Sequence, residues 1–185
     1  RDAAWTRREL DQAVADFTAV FGAPPRSHAA AGWQINGHAI GLEAALGFRY
    51  ASDTRGWHPF LPVMDGVAGT CPQLPTTLPT LDELIGLDGL TLEQAVDHVI
   101  DEARRSSRPC EVFTLHAELE GQLLLPQLER MLAAWRADGF ELVAMEALAQ
   151  RLDVASLPRH RIDLGEVPGR SGLLALQGPR LDAAA

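Results

Sequence analysis

Apolar positions recur along the chain with the spacing of amphipathic helices, and most of these segments begin with a residue that can cap a helix. A helix end is indicated where Gly or Pro follows the last apolar residue. The predicted helices run from the capping box Thr6–Glu9 to Phe21, from Asn36 to about Leu46, from the capping box Thr91–Gln94 to about Arg105, from Pro126 to Gly139, and from Met145 to Leu152, with a further capping box at Thr80–Glu83.

Short runs of small, β-branched and aromatic residues lie between these helices and predict strands. These runs are residues 27–33, 48–51, 112–115 and 140–143. Strands that alternate with helices indicate an α/β fold with a parallel sheet. The long stretch 53–80 has no helical period, but Asp65–Gly66 predicts a small hairpin, and its apolar side chains indicate an ordered loop.

Charge and cysteine content narrow the functional classes. The net charge is −9, the 16 basic residues are all arginine, and no basic run occurs, which argues against a nucleic-acid partner. Two distant cysteines, Cys71 and Cys110, form no disulfide framework and fit a reducing compartment. No apolar run approaches the length of a membrane span, and no feature of the sequence indicates a protein partner.

His116 is the main candidate for a catalytic side chain. It follows the predicted strand 112–115, and active sites of parallel α/β folds lie at the carboxyl ends of strands. Imidazole suits proton transfer near neutral pH. Glu118 and Glu120 follow at alternate positions. A structural histidine at a strand end is an equally good interpretation of the strand context alone.

Two other predicted strand ends carry polar side chains. Asp53 and Arg55 can bind a polar ligand together, or form a salt bridge that braces a loop. Trp33 and Gln34 can contact a ligand, or pack and make a turn. A metal site would have to combine His28, His38, His58 or His116 without a known ligand spacing, so the residues alone do not favour one.

Four segments, in this order, resemble the motifs of the polysaccharide deacetylase (NodB-homology) family. A fifth segment, in the tail, resembles the C-terminal end of one of its members. The segments are Ala29–Trp33, Phe48–Gly56, Pro75–Gly86, Thr114–Gly121 and, in the tail, Val167–Gly172. The resemblance covers essentially the whole chain and implies part of a distorted parallel (β/α) barrel. In those terms residues 1–152 are the C-terminal portion of the barrel, and residues 153–185 are a tail that packs on it or is partly disordered.

The resemblance also implies a reaction. It is the metal-dependent hydrolysis of a formyl or acetyl N-acyl group on an amino sugar, with the closer likeness to deformylation of lipid-linked 4-formamido-arabinose in lipid A modification. His116 matches the acid that protonates the leaving amine. The implied cofactor is a divalent metal, Zn²⁺, Mn²⁺ or Co²⁺. Its ligands, an acidic pair and a histidine pair, are expected upstream of Arg1, so we expect a fragment without metal ligands that is inactive alone.

One position departs from the family pattern. Gln34 stands where the family commonly has an arginine that supports the base, and an amide cannot lower a carboxyl pKa by charge. A catalytically degenerate sugar-binding member of the same fold is therefore the alternative.

The implied partner is a lipid-linked or oligomeric amino-sugar substrate. The implied location is the cytoplasm, with peripheral contact at the inner face of the inner membrane. Trp57 and Phe60 in the long loop are the candidates for lipid or sugar contact, and packing of the loop is the other interpretation.

Overall fold

The computed structural model describes residues 1–181, which divide into two compact units. The first unit comprises Arg1–Pro75, Arg151–Gly165 and the described residues from Leu173 onward. The second unit comprises Thr76–Gln150 and Glu166–Gly172.

Two helices open the first unit. Helix α1 spans Ala3–Phe21 and begins at Asp2, whose side chain accepts a hydrogen bond from the Trp5 N–H at 2.8 Å. The prediction that Thr6 caps this helix was wrong, because Thr6 lies inside the first turns and its hydroxyl donates to the Asp2 carbonyl. Helix α2 spans Gly37–Leu42, and Asn36 caps it as predicted by accepting from the Ala39 N–H.

Six short strands form two sheets in the first unit. Strands β1 (Ser27–His28) and β2 (Tyr50–Ala51) pair in parallel. Strands β3 (Leu61–Met64) and β4 (Val67–Ala68) form the predicted hairpin around Asp65–Gly66. Strands β5 (Arg159–Gly165) and β6 (Leu174–Leu181) complete a second sheet in the order β4-β3-β5-β6, in which β3 and β5 are parallel and the other pairs antiparallel.

The core of the first unit lies in two clusters. Ile40, Phe60, Met64, Ile162 and Ala175 pack between α2 and the second sheet, and Phe48, Ala51 and Cys71 pack beside the first sheet. Phe60 is fully buried, so for this residue the packing interpretation is correct and direct lipid contact is excluded.

Four helices build the second unit. They are α3 (Leu81–Leu84), α4 (Leu92–Arg105), α5 (Leu125–Ala137) and α6 (Met145–Gln150). The capping boxes at Thr80 and Thr91 and the proline in the first turn of α5 are present as predicted. The apolar faces of α3, α4 and α5 meet in one core, with Val96, Met131 and Trp135 buried at its centre.

Two predicted strands of the second unit are not strands. Residues 112–116 have no regular secondary structure, and the Val112 carbonyl accepts instead from the N–H groups of Thr77 and Leu78. Residues 140–143 also lack regular structure. In both cases the apolar side chains have the composition of a strand, but the backbone forms no strand pair: Val112 bonds to Thr77 and Leu78, and the Phe140 N–H donates to the Trp135 carbonyl.

The chain is therefore a mixed α/β protein, as predicted, with parallel and antiparallel strand pairs rather than a purely parallel sheet. The tail contributes β5 and β6 to the second sheet, while residues 182–185 lie outside the described part. Among the described helices, each is too short or too polar to cross a bilayer.

Candidate functional site

Strands β1 and β2 bring His28 and Asp53 together in the first unit. The parallel register aligns His28 with Ala51, and the Ser52 N–H continues the ladder by donating to the His28 carbonyl. Asp53 follows directly, so both side chains lie at the carboxyl ends of paired parallel strands, and His28 Nδ1 is 2.8 Å from Asp53 Oδ1. The His28 ring stacks on Phe48, which fixes its plane.

Asp53 is fully buried and tightly held. Its carboxyl group accepts from the Ala30 N–H at 2.7 Å and from Gln73 Nε2 at 2.9 Å, while Gln73 Oε1 accepts from the Asp53 N–H. Burial by itself raises a carboxyl pKa, but hydrogen bonding to His28 and its charge, with further bonds from Glu43 and Gln73, hold the pKa of Asp53 below its usual value.

Glu43 approaches the same point from the end of α2. It is fully buried, and its Oε2 accepts from Gln73 Nε2 at 3.3 Å. Burial, and after it the charge of Asp53, raises the pKa of Glu43 to about 11. His28, Glu43 and Asp53, called the triad below, each offer one ligand atom within 4.8 Å of the others and could hold a metal ion.

Trp33, Gln34 and Arg55 also lie in the first unit. Gly32 and Trp33 both have left-handed backbone conformations, with φ of 60° and 53°, and this conformation is strained for Trp33 because of its Cβ. The Arg55 guanidinium lies 4.9 Å from the centre of the buried Trp33 ring, a cation–π contact. The side chain of Gln34 is exposed beside them.

In the second unit, His116 lies at the end of the irregular segment 112–116, and its carbonyl accepts from the N–H groups of Leu119 and Glu120 in the turn that follows. Its N–H donates to Glu120 Oε2 at 2.7 Å, and its ring Nδ1 lies 3.9 Å from both Glu120 Oε2 and Asp82 Oδ1. Nδ1 is buried, whereas 35% of the side chain is exposed, so the accessible part of the ring includes Nε2. Glu120 is fully buried and Glu118 is exposed.

An ion-pair network stands next to His116. Arg170 binds the Asp82 carboxylate through both terminal nitrogens, at 3.0 and 3.2 Å, and donates from Nε to Glu83 at 3.1 Å. The Thr80 hydroxyl also donates to Asp82. Such bidentate pairs fix a carboxylate in place, so the Asp82 carboxylate beside the His116 ring has a defined position.

The structure thus assembles the sequence candidates in two groups. Trp33, Asp53 and Arg55 lie together in the first unit, and His116 and Glu120 lie together in the second, while Gln34 and Glu118 are exposed beside their groups. The sequence did not single out Glu43, Gln73, Asp82 or Arg170 as site residues. Asp82 lies inside the capping box and Arg170 inside the tail motif, but neither was predicted to be a site residue. The hydrogen bonds that bring these residues into the two groups join positions 20 to 88 residues apart, and the local sequence gives no sign of such contacts.

Trp57 is 45% exposed and lies near a group of aromatic rings. His58 and His160 pack edge to face at 4.9 Å, and Trp57 contacts both rings. Its surface remains available for contact, unlike that of Phe60.

No family model matches the chain. The chain is 30% identical over 174 residues to a protein of Shewanella sediminis (strain HAW-EB3) described as a probable 4-deoxy-4-formamido-L-arabinose-phosphoundecaprenol deformylase ArnD, a match that covers 94% of this chain and 55% of that protein. The protein of the same description from Wigglesworthia glossinidia brevipalpis is 30% identical over 156 residues, which cover 83% of this chain and 53% of the relative. The chain therefore spans about half the length of the curated relatives it matches.

Proposed function

Because the chain belongs to the ArnD-like polysaccharide deacetylase family, we propose that it is part of a hydrolase that removes an N-acyl group from an amino sugar. The names of both relatives specify a formamido-arabinose on phosphoundecaprenol, and we propose the same substrate class for this protein. In this reaction water adds to the formyl carbon, the C–N bond breaks, and formate and the free amine are released. The observation that carries the proposal is the 30% identity across 94% of the chain.

We assign the proton donor to His116. Breakage of the C–N bond requires a proton on the departing nitrogen, and imidazolium is the side chain best matched to that step near neutral pH. The buried Nδ1 and the partly exposed ring leave Nε2 as the nitrogen that delivers the proton.

Glu120 and Asp82 are positioning residues in this proposal. Glu120 holds the main chain of His116 through the 2.7 Å hydrogen bond, and Asp82, fixed by Arg170, faces the ring at 3.9 Å. Both contacts fix the position of the His116 ring, as a proton donor with a defined geometry requires.

A bound divalent metal, Zn²⁺, Mn²⁺ or Co²⁺, would polarise the acyl carbonyl and activate the attacking water. The family resemblance implies an acidic pair and a histidine pair as ligands. Among residues 1–181 the group with converging ligand atoms is the triad, which has one histidine and two carboxyl groups, so its donor set does not match. We therefore assign no step of the reaction to the triad, and propose that the family's ligands belong to motifs N-terminal to these residues.

A polyprenyl-linked substrate requires access to a membrane surface. We propose that the protein works at the inner face of the inner membrane, and that the exposed indole of Trp57 contacts the sugar or the lipid. The substitution Trp57→Ala should raise KM for the lipid-linked substrate more than it changes kcat.

The test is release of formate by the protein produced from its whole coding sequence, supplied in turn with Zn²⁺, Mn²⁺ and Co²⁺. Phosphoundecaprenol-linked 4-formamido-arabinose and its N-acetyl analogue are the two substrates. Formate release from the first supports the proposal. If neither formate nor acetate appears with any of the metals, the proposal is wrong.

The second candidate function is sugar binding without hydrolysis, which Gln34 in place of the family arginine favours. It predicts saturable binding of the same substrate with no product. Turnover that the substitution His116→Ala abolishes would exclude this candidate.

A further inference from the structure

The triad is a compact group of metal-ligating side chains that the proposed reaction does not use. We propose that His28, Glu43 and Asp53 together bind one divalent transition-metal ion in the first unit. The three ligand atoms lie within 4.8 Å of one another, so small side-chain movements would bring all three to the distance of about 2.0–2.2 Å from a single ion.

One buried carboxyl oxygen of the triad has no hydrogen-bond partner. Glu43 is fully buried, and its Oε1 is without a donor. His28 Nδ1 is also buried and lies 2.8 Å from Asp53 Oδ1. An orphaned buried carboxyl oxygen destabilises the fold, and a bound ion would satisfy it.

The surroundings hold the three ligands in place. Gln73 bridges both carboxyl groups through Nε2, at 2.9 Å to Asp53 and 3.3 Å to Glu43. Gln73 is itself fully buried and is fixed by main-chain hydrogen bonds to Phe60. The Ala30 N–H orients the remaining side of Asp53. Metal sites depend on such outer hydrogen bonds to orient their ligands.

The donor set selects the class of ion. One imidazole nitrogen and two carboxyl oxygens suit Zn²⁺, Co²⁺ and Mn²⁺, whereas Mg²⁺ and Ca²⁺ favour oxygen ligands alone. Carboxyl groups bind a metal in the deprotonated form, so binding would release the proton of Glu43, and the two carboxylates would then balance the charge of a divalent ion in a buried setting. The ion can enter along His28, whose side chain is 20% exposed while the two carboxylic acids are covered.

Two variants and a matched control test the site. Glu43→Gln keeps the shape of the side chain and removes an ionisable ligand, and His28→Ala removes the imidazole. His38→Ala is the control. His38 lies on helix α2, whose C-terminal end is capped by Glu43, but its side chain is exposed. The whole encoded protein is stripped with a chelator and dialysed against Zn²⁺, and bound metal is counted by mass spectrometry. Co²⁺ absorption in the visible range reports the coordination of the ion.

We expect the wild type and His38→Ala to bind one more equivalent of Zn²⁺ than the two triad variants, or to bind that equivalent at least about tenfold more tightly. The Co²⁺ spectrum should lose the corresponding intensity in both triad variants. Equal stoichiometry and affinity in all four proteins would overturn the proposal, and a proton held between Glu43 and Asp53 would then occupy the site.

Folding of the variants is checked by circular dichroism. If Glu43→Gln does not fold, the test is made on the wild type alone. Zn²⁺ should then raise the melting temperature of the wild type and shift the Nδ1 or Nε2 signal of His28 in its nuclear magnetic resonance spectrum. An unshifted His28 signal at saturating Zn²⁺ would contradict the site. Deacylase activity is measured separately, so loss of the proposed function and loss of this metal site remain distinguishable.

Discussion

Replacing Glu120 by alanine should loosen His116 without removing it. Glu120 is fully buried on the short π-helical turn Leu119–Leu123, and its Oε2 accepts the His116 N–H at 2.7 Å. The substitution leaves that N–H without its partner, which costs about 1–3 kcal/mol. For a domain of this size each kcal/mol lowers Tm by about 2–4 °C, so the expected fall is about 2–12 °C.

The activity should fall as well, because His116, the proposed proton donor, would no longer have a fixed position. Each 1.4 kcal/mol lost from the transition state is about a tenfold loss of rate, so we expect kcat to drop by about 10- to 100-fold. Glu120→Gln is the matched variant, since its amide oxygen can still accept from the His116 N–H, and it should retain most of the stability. The assays are thermal unfolding by circular dichroism and formate release by the whole encoded protein.

The reasoning is refuted if Glu120→Ala unfolds at the wild-type temperature and turns over at the wild-type rate. It is also refuted if Glu120→Gln is as damaging as Glu120→Ala, because the hydrogen-bond acceptor would then not explain the effect.

Three further predictions follow from packing and burial. Met131→Ala should lower the free energy of unfolding in urea by about 2–5 kcal/mol, because Met131 is fully buried in the core of the second unit; a loss below 1 kcal/mol would contradict that packing. Gly169→Ala should destabilise the second unit, since φ is +81° there and a Cβ would overlap the Glu83 main chain; unchanged urea unfolding would contradict this. Burial raises the pKa of Cys71 and of Cys110. Both thiols should therefore react slowly with a disulfide reagent at about pH 8 in the native protein and fast in urea. Rapid labelling of Cys71 in the native protein would contradict its burial.

Local signals predicted the helices well. Asn36, Thr91 and Pro126 mark three helix starts through contacts within four residues, and the structure confirms all three. The start of α1 was misplaced because Asp2 caps the helix one turn before the capping box at Thr6. Strands were harder, since residues 112–115 have strand composition but find loop partners instead of a neighbouring strand.

Sequence reasoning singled out a candidate site residue only where its side chain is of a type common in active sites or where it lies in a segment that resembles a family motif. His116, Asp53 and Trp33 meet one of those conditions. Glu43 and Gln73 do not, because their roles depend on contacts with Asp53 that only the folded chain creates. Arg170 likewise reaches Asp82 from 88 residues away.

The most direct test of the account is the rate of formate release by His116→Ala compared with His98→Ala in the whole encoded protein. His98 is an exposed histidine on α4 of the same unit and serves as the matched control. We predict that His116→Ala loses about 100- to 10,000-fold in kcat while binding the substrate, and that His98→Ala keeps the wild-type rate. Equal rates in the two variants would contradict the assignment of His116 as the acid of a sugar N-deacylase.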